Sequence, residues 1–415
     1  ILQRIPPEVK LLGISVSFTH EWPAVSQLVN EIKRARPDLG VILGGEHVTA
    51  MPEFCLATSK ADWLVLGEGE ETIVELVRAI EQGDVSGVAG IAYRQGEEIV
   101  VAPRRNRRKS VDEIPWPAWH RIDWKTYNDC HFVGGTDVGE ITFPILATRG
   151  CPYQCTFCSS ANMWTTTWIP RDPVKVVDEI EHYVKTYGAR NFPFQDLTAI
   201  IKRDWIIAFC KEILRRNLKI SWQFPSGTRS EAIDREVAGL LYQSGMVNMG
   251  YAPESGSETT RKLIKKKMTE DRLLKSVQDS IAARLNVSLW IIIGFPTDDH
   301  GNLKENFPFI ERIAALGVTY LAVGVYIALP GTEIFDSLYD AGKIRIDRHY
   351  FSHILQSSRI VPDISYSEKL NRWWLTIWKI RLYLRFYGAK QKLDSRGLLS
   401  NIWRGFCGLF RSEGH

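Results

Sequence analysis

Six short apolar segments, at 143–148, 191–195, 219–224, 247–252, 287–293 and 319–327, recur with helical patterns between them. Each has the length and the apolarity of a strand buried on both faces, and strands alternating with helices build a parallel sheet. The first helix is the clearest: Asp172 is the N-cap, Pro173 opens the first turn, and Val174, Val177, Ile180 and Val184 recur on one face. Gly188 stops it. Six β/α units are too few to close an eight-stranded barrel. An open six-stranded arc is expected, with ligands at the carboxyl ends of its strands.

Directly after the first of these strands comes Arg149-Gly150-Cys151-Pro152-Tyr153-Gln154-Cys155-Thr156-Phe157-Cys158. Three cysteines spaced C-x3-C-x2-C cannot pair sensibly as disulfides, but they can hold one metal centre. A closed zinc site asks for a fourth Cys or His at similar range, and none follows in the next twenty residues. A cubane iron–sulfur cluster normally takes four thiolates; three leave one iron open for chemistry. The bland alternatives are a zinc knuckle or three unrelated buried cysteines. The chain of 415 residues has seven cysteines, an odd number clustered at one place. That points to a reducing compartment, not to a disulfide framework.

A polar or glycine-bearing segment follows each later strand. These are Phe194-Gln195-Asp196, Gly227-Thr228-Arg229, Tyr251-Ala252-Pro253-Glu254-Ser255-Gly256-Ser257-Glu258, Trp290 through Gly294-Phe295-Pro296-Thr297-Asp298, and Ala328-Leu329-Pro330-Gly331-Thr332. With the cysteine run, this order resembles the radical S-adenosylmethionine (SAM) superfamily over about residues 140–340. The resemblance implies a partial (β/α)6 barrel and a [4Fe–4S] cluster on Cys151, Cys155 and Cys158. The free iron would chelate SAM, and one electron would cleave it to a 5′-deoxyadenosyl radical. It further implies SAM contacts from Phe157, Gln195, Asp196, Arg229, Glu254, Ser255 and Gly294. Gln195-Asp196 departs from the Gly-Gly-Glu of many members; the bland role for Asp196 is to cap the following helix.

The N-terminal part has its own alternation. Residues 11–18 are strand-like, Ala24, Val25, Leu28, Val29 and Ile32 recur at helical spacing up to Pro37, and Val41-Ile42-Leu43 ends in Gly44-Gly45-Glu46-His47. Trp63-Leu64-Val65-Leu66 ends in Gly67-Glu68-Gly69-Glu70, and a helix is expected over 71–81. These segments resemble the Rossmann-like cobalamin-binding domain that precedes many radical SAM enzymes. Ser15, Gly44, Gly45, His47, Gly67, Glu68 and Gly69 are then the corrinoid-binding candidates. The D-x-H-x-x-G motif of some such domains is not present; it would lie upstream of Ile1, and a truncated domain is expected. A lone His47 is read as a polar loop residue in preference to a cobalt ligand.

The expected domains are 1–102, cobalamin-binding-like; 103–139, a linker whose basic run at 104–109 reads as a solvated connector; 140–340, the radical SAM core; and 341–415, a helical extension. Net charge is +4, but residues 371–415 hold nine Lys/Arg and two Asp/Glu, which leaves the rest at −3. Trp373, Trp374, Ile377 and Trp378 stand near the start of that tail. A basic, aromatic segment suits a lipid surface, nucleic acid, or a helix covering the arc. No RNA-binding module is recognisable.

The expectation is an enzyme that functionalises an unactivated carbon by cobalamin-dependent methyl transfer, with flavodoxin or ferredoxin as electron donor. A small, lipophilic substrate and a cytoplasmic location, peripheral to the inner membrane face, complete it. The rival on the same scaffold is oxidative ring closure of a tetrapyrrole, as in anaerobic magnesium-protoporphyrin monomethyl ester cyclases, which 162–164 and 171–181 also resemble. The rival of another class is a zinc-bound nucleic-acid-binding module.

Overall fold

A computed structural model describes residues 4–132 and 134–393. The chain divides into two compact units. The first comprises Ile1–Lys109, Gln154–Thr166 and Ile327–Gln356; the second comprises Ser110–Tyr153, Thr167–Tyr326 and Ser357–His415.

The first unit is built on a five-stranded sheet in the order β1 (Leu11–Ser15), β2 (Gly40–Gly44), β3 (Trp63–Val65), β4 (Ile91–Gln95) and β5 (Glu98–Val101). β1, β2 and β3 are parallel, whereas β4 and β5 are antiparallel. Val41, Ile42 and Leu43 make β2 the buried centre. The helix Trp22–Ala35 turns Trp22, Val29 and Ile32 inward, and the helix Gly69–Gln82 buries Thr72, Leu76 and Ala79. The β4–β5 hairpin is absent from the sequence reading because its outer strand is half exposed and makes no long apolar run.

The basic run is not a solvated connector. Arg107 pairs with Glu68 at 2.7 Å, Arg108 with Glu71 at 2.5 Å, and Arg105 with Glu75. Glu68 and Glu71 lie at the start of the Gly69–Gln82 helix, where the exposed N–H groups of the first turn already favour negative charge, and Glu75 stands one turn further on. The arginines close the far side of those carboxylates.

In the second unit β8 (Asn191–Pro193), β9 (Ser221–Thr228), β10 (Met246–Glu254), β11 (Asn286–Ile293) and β12 (Tyr320–Val325) form a parallel sheet in sequence order. The expected first strand is reduced to parallel bridges at Thr142 and Ile145. Past them, β6 (Thr148–Arg149) pairs antiparallel with β7 (Ile169–Pro170). Phe143 and Ile145 donate to the Asn191 and Pro193 carbonyls at 3.0 Å, but the next N–H in that phase, that of Ala147, is taken with that of Thr148 by the Asp196 carboxylate. A continuous ladder therefore cannot form there.

The helix Pro173–Tyr187 begins and ends where the sequence places it: Asp172 accepts from the Val174 N–H at 2.7 Å, and Gly188 is left-handed at φ 70°. Its buried face is Val176, Val177, Ile180 and Tyr183, and Val174 is exposed. Tyr183 draws the face round, because its ring packs on Phe143 at 5.4 Å and its hydroxyl donates to buried Glu179 at 2.6 Å.

The core is aromatic at its centre. The Trp222 ring lies 5.4, 5.1 and 5.3 Å from Phe194, Phe209 and Phe224, and its Nε1 donates to the Ser244 carbonyl at 3.0 Å. The C-terminal helix Arg372–Leu393 adds Leu375, Trp378, Leu382 and Phe386 to this core. The Val323 N–H donates to the Tyr383 hydroxyl at 3.1 Å. A helical tail covering the arc is therefore borne out; the remainder of the tail, with Trp403 and Cys407, lies outside the described residues.

Trp222→Ala removes the central ring and leaves the Ser244 carbonyl unpaired. We expect a loss of about 3–5 kcal/mol, read as a lower urea midpoint at unchanged slope.

Candidate functional site

The carboxyl ends of β9 and β10 carry the densest chemistry of the second unit. Arg229 donates to Glu231 Oε1 at 2.8 Å and to the Lys267 carbonyl, and its guanidinium lies over the Tyr153 ring at 3.7 Å. Tyr153 belongs to the cysteine run, so Arg229 grips that run by cation–π contact. Glu254 holds a left-handed backbone at φ 63°, uncommon for a residue with a Cβ. Its carboxylate meets Lys266 Nζ at 2.9 Å, and both side chains are about 10% exposed. Burial raises the Cys151 thiol above its usual range, while the Tyr153 N–H and the charges of Lys266 and Arg229 pull it down. Lys266 escaped the sequence reading. Its signal was the run Lys265-Lys266-Lys267, which looks like a solvated patch until the fold turns one lysine inward.

Ser255 is spent on structure. Its hydroxyl donates to Asn306 Oδ1 at 3.3 Å, and its carbonyl accepts from Arg261 at 2.8 Å. Asn306 Oδ1 also accepts the Gly256 N–H at 2.7 Å. A Cβ on Gly256 would stand 2.7 Å from the Phe309 Cβ, so only glycine passes here.

Gln195 and Asp196 point opposite ways, as neighbours on a strand do. Gln195 is exposed and donates to the Gly134 carbonyl at 2.9 Å. It also lines a cavity of about 300 Å³ with Trp116, Trp119, Leu146 and Arg149. Asp196 is buried, accepts the Ala147 N–H at 3.1 Å and the Thr148 N–H, and is pushed up by burial to about 6. It does not cap the next helix, which begins at Arg203. At the end of β11, Gly294 has φ 90°. Asp298 accepts the Gly294 and Phe295 N–H groups at 2.7 and 3.1 Å and the Thr260 hydroxyl at 3.4 Å. Burial raises its carboxyl to about 7.

In the first unit Cys155, Phe157 and Cys158 are half-buried. The Cys158 N–H donates to the Cys155 carbonyl at 3.1 Å, the Ser159 hydroxyl donates to Glu46, and the Ile334 N–H donates to the Thr156 carbonyl at 3.1 Å. Among the described residues no three His, Cys, Asp or Glu side chains form a ready-made metal group. The fit to a cluster rests on the donor set: three half-buried cysteines on one run, none in a disulfide.

The corrinoid candidates gather at one edge of the first unit's sheet. Ser15 stands opposite Gly44 in register, and Gly67 lies two residues past β3. Gly45 has φ 107°, and a Cβ there would come within 2.6 Å of the Val16 carbonyl. A strand edge without side chains fits a flat ring. Ser15 Oγ lies 3.3 Å from Ser17 Oγ, Glu68 is held by Arg107, and Gly69 opens a helix. His47 is not in a loop. It lies on the helix Glu46–Ala50, 1% exposed, with Trp22 and Phe351 rings at 5.2 and 6.1 Å. Its ring nitrogens have no hydrogen-bond partner, and burial pushes it down to about 4, so the imidazole is neutral.

Comparison with known proteins agrees with this division. Residues 2–77 match the B12 binding domain family, and residues 145–310 match the Radical SAM superfamily. An uncharacterized methyltransferase of Pyrococcus horikoshii is 25% identical over 81% of this chain and 70% of its own length. The anaerobic magnesium-protoporphyrin IX monomethyl ester cyclase of Cereibacter sphaeroides is 29% identical over 88% of this chain. The chain spans only 56% of that cyclase. The solved structure of TsrM from Kitasatospora setae, a radical SAM methyltransferase, shares the fold at a TM-score of 0.63 with 19% identity. That match covers 82% of this chain and 66% of TsrM. The chain thus carries a segment matching the B12 binding domain family ahead of one matching the Radical SAM superfamily.

Asp298 gives a pH test. Its folded value lies above the ordinary 3.8, so the fold keeps a proton that the unfolded chain releases. That contribution is full below 3.8 and is lost as pH rises toward about 7. Asp298→Asn is neutral and isosteric, and its carbonyl can still accept both N–H groups. Thermal unfolding from pH 4.5 to 8 should show a shallower decline in the variant; an unchanged slope would remove Asp298 as the source.

Proposed function

We propose that the protein is a cobalamin-dependent radical SAM methyltransferase acting on a small, lipophilic molecule. The observation that carries this is the C-x3-C-x2-C run at the end of the arc's first strand, in a chain whose N-terminal sheet presents a glycine edge. Cys151, Cys155 and Cys158 would hold a [4Fe–4S] cluster, which when bound supplies one-electron cleavage of SAM. Lys266 and Arg229 give the Cys151 end positive charge, and Arg229 orients Tyr153. The turn held by Asp298 would set Gly294 beside the adenine. Gly44, Gly45 and Gly67 would receive the corrinoid. The cavity beside Gln195, walled largely by tryptophan, proline and aliphatic side chains, supports a substrate with an apolar portion. Flavodoxin or ferredoxin as electron donor, a cytoplasmic location and peripheral membrane contact belong to the same proposal; no described helix is long and apolar enough to cross a membrane.

The second reading is oxidative cyclisation of a tetrapyrrole, favoured by the likeness to the cyclase over most of this chain. Product mass separates the two, since methylation adds one methylene unit and cyclisation does not.

Anaerobic purification should yield a brown protein with broad visible absorption, whereas a zinc protein is colourless. Replacing any one of Cys151, Cys155 or Cys158 by Ala should abolish cluster assembly and SAM cleavage, and replacing Cys55, Cys130 or Cys210 should not. About four irons per chain in the triple cysteine variant would overturn the assignment.

Hydroxocobalamin should be retained through gel filtration, with a corrinoid absorption spectrum. Gly45→Val should abolish retention, because its side chain would collide with the Val16 carbonyl. No retention by the unaltered protein would leave a radical SAM enzyme without a corrinoid.

A further inference from the structure

The helix Arg372–Leu393 has two apolar faces. Leu375, Trp378, Leu382 and Phe386 are 0–2% exposed and form the face packed on the core. Trp373, Ile377, Ile380 and Leu384 are 60%, 42%, 44% and 67% exposed. Steps of four, three and four residues keep these side chains on one line at 3.6 residues per turn. That line runs opposite the buried one. Trp374, 43% exposed, widens it at the N-terminal end. In the sequence Trp378 stands beside Trp373 and Trp374 in a basic, aromatic segment of the kind that suits a lipid surface. The structure turns Trp378 inward, where its Nε1 meets His300 Nδ1 at 2.9 Å, and brings Ile380 and Leu384 out instead.

The charges of this helix are all of one sign. Its 22 residues contain six Lys/Arg and no Asp/Glu. Lys379 is buried, its Nζ donating to the Ser358 and Arg359 carbonyls at 3.0 and 2.8 Å, and Lys390 donates to the Val318 carbonyl at 2.9 Å. Arg372 is half-buried and donates to the Asp363 carbonyl at 3.5 Å. Arg381 and Arg385 are exposed along one flank of the apolar line; Arg381 lies over the Trp378 ring at 4.5 Å, and Arg385 lies over the Phe307 ring at 4.7 Å and meets the exposed Glu311 at 2.7 Å. Arg372 lies over the Trp373 ring at 5.0 Å on the other flank.

We propose that this outward face is a docking surface for an anionic phospholipid bilayer, on which the helix lies in the plane of the interface. An apolar line flanked by arginines, with tryptophan at one end, matches the acyl boundary below and the anionic headgroups beside it. A second copy meeting the same face would bring arginine against arginine with no carboxylate of the helix to offset them. The proposal deepens the proposed function, since it says where a lipophilic substrate is met, and for that meaning it rests on that reading.

The test is flotation of the full chain with vesicles of phosphatidylcholine containing 30% phosphatidylserine, scored separately from SAM cleavage so that either can fail alone. We expect binding at 50 mM salt that falls at least tenfold at 500 mM and is weak on pure phosphatidylcholine. Ile377→Glu, Ile380→Glu and Leu384→Glu together should abolish binding while leaving the circular dichroism spectrum and SAM cleavage unchanged. Arg381→Gln with Arg385→Gln should weaken binding only to the anionic vesicles. No vesicle binding at low salt would overturn the proposal, as would full binding by the triple variant. A concentration-dependent dimer that the triple variant abolishes would assign the face to a second copy and overturn it as well.

Discussion

The carboxylate of Asp196 is the contact on which the arrangement of the second unit most depends. It takes the N–H of Ala147, which would otherwise continue the ladder that Phe143 and Ile145 begin, together with the N–H of Thr148. The first strand therefore leaves the sheet early, pairs briefly with Ile169–Pro170, and releases the chain to Cys151 two residues past its end. A buried carboxylate costs desolvation, visible in its raised proton affinity, and the two backbone donors offset that cost. Asp196 thus acts on the backbone that leads into the cysteine run.

The same economy recurs at the other strand ends. Asp298 holds the turn after β11 by two N–H groups, and Asn306 holds the Ser255–Gly256 turn after β10. Arg229 and Lys266 place positive charge at the Cys151 end while each is anchored by a carboxylate. Buried polar groups are hydrogen-bonded because an unpaired one is expensive. Here the partners are loop backbones, so satisfying the buried groups also fixes the loops. In the first unit, Arg105, Arg107 and Arg108 play the equivalent part for the acids of the Gly69–Gln82 helix.

The order of elements, the helix cap at Asp172, the stop at Gly188 and the glycine edge at Gly44, Gly45 and Gly67 were legible in the chain, because each follows from local geometry: a period, a cap, a positive φ. The cysteine run was legible because its spacing has few other uses. What the pattern missed were consequences of contacts far apart in sequence. Val174 faces out because Tyr183 is drawn to Phe143. His47 is buried because Trp22 and Phe351 enclose it. Lys266 turns inward because Glu254 receives it.

The sequence by itself determined the class: which residues lie at strand ends, which cysteines stand together, and that a B12-binding segment precedes a radical SAM segment. Periodicity and spacing are properties of the chain and survive without a fold. Only the tertiary structure decided what each polar side chain is used for, since a carboxylate's partner is set by which strand lies beside it. It also decided which side of the C-terminal helix is core and which is surface. Both faces of that helix are apolar, so no periodicity in its sequence could distinguish the one that packs from the one left facing outward.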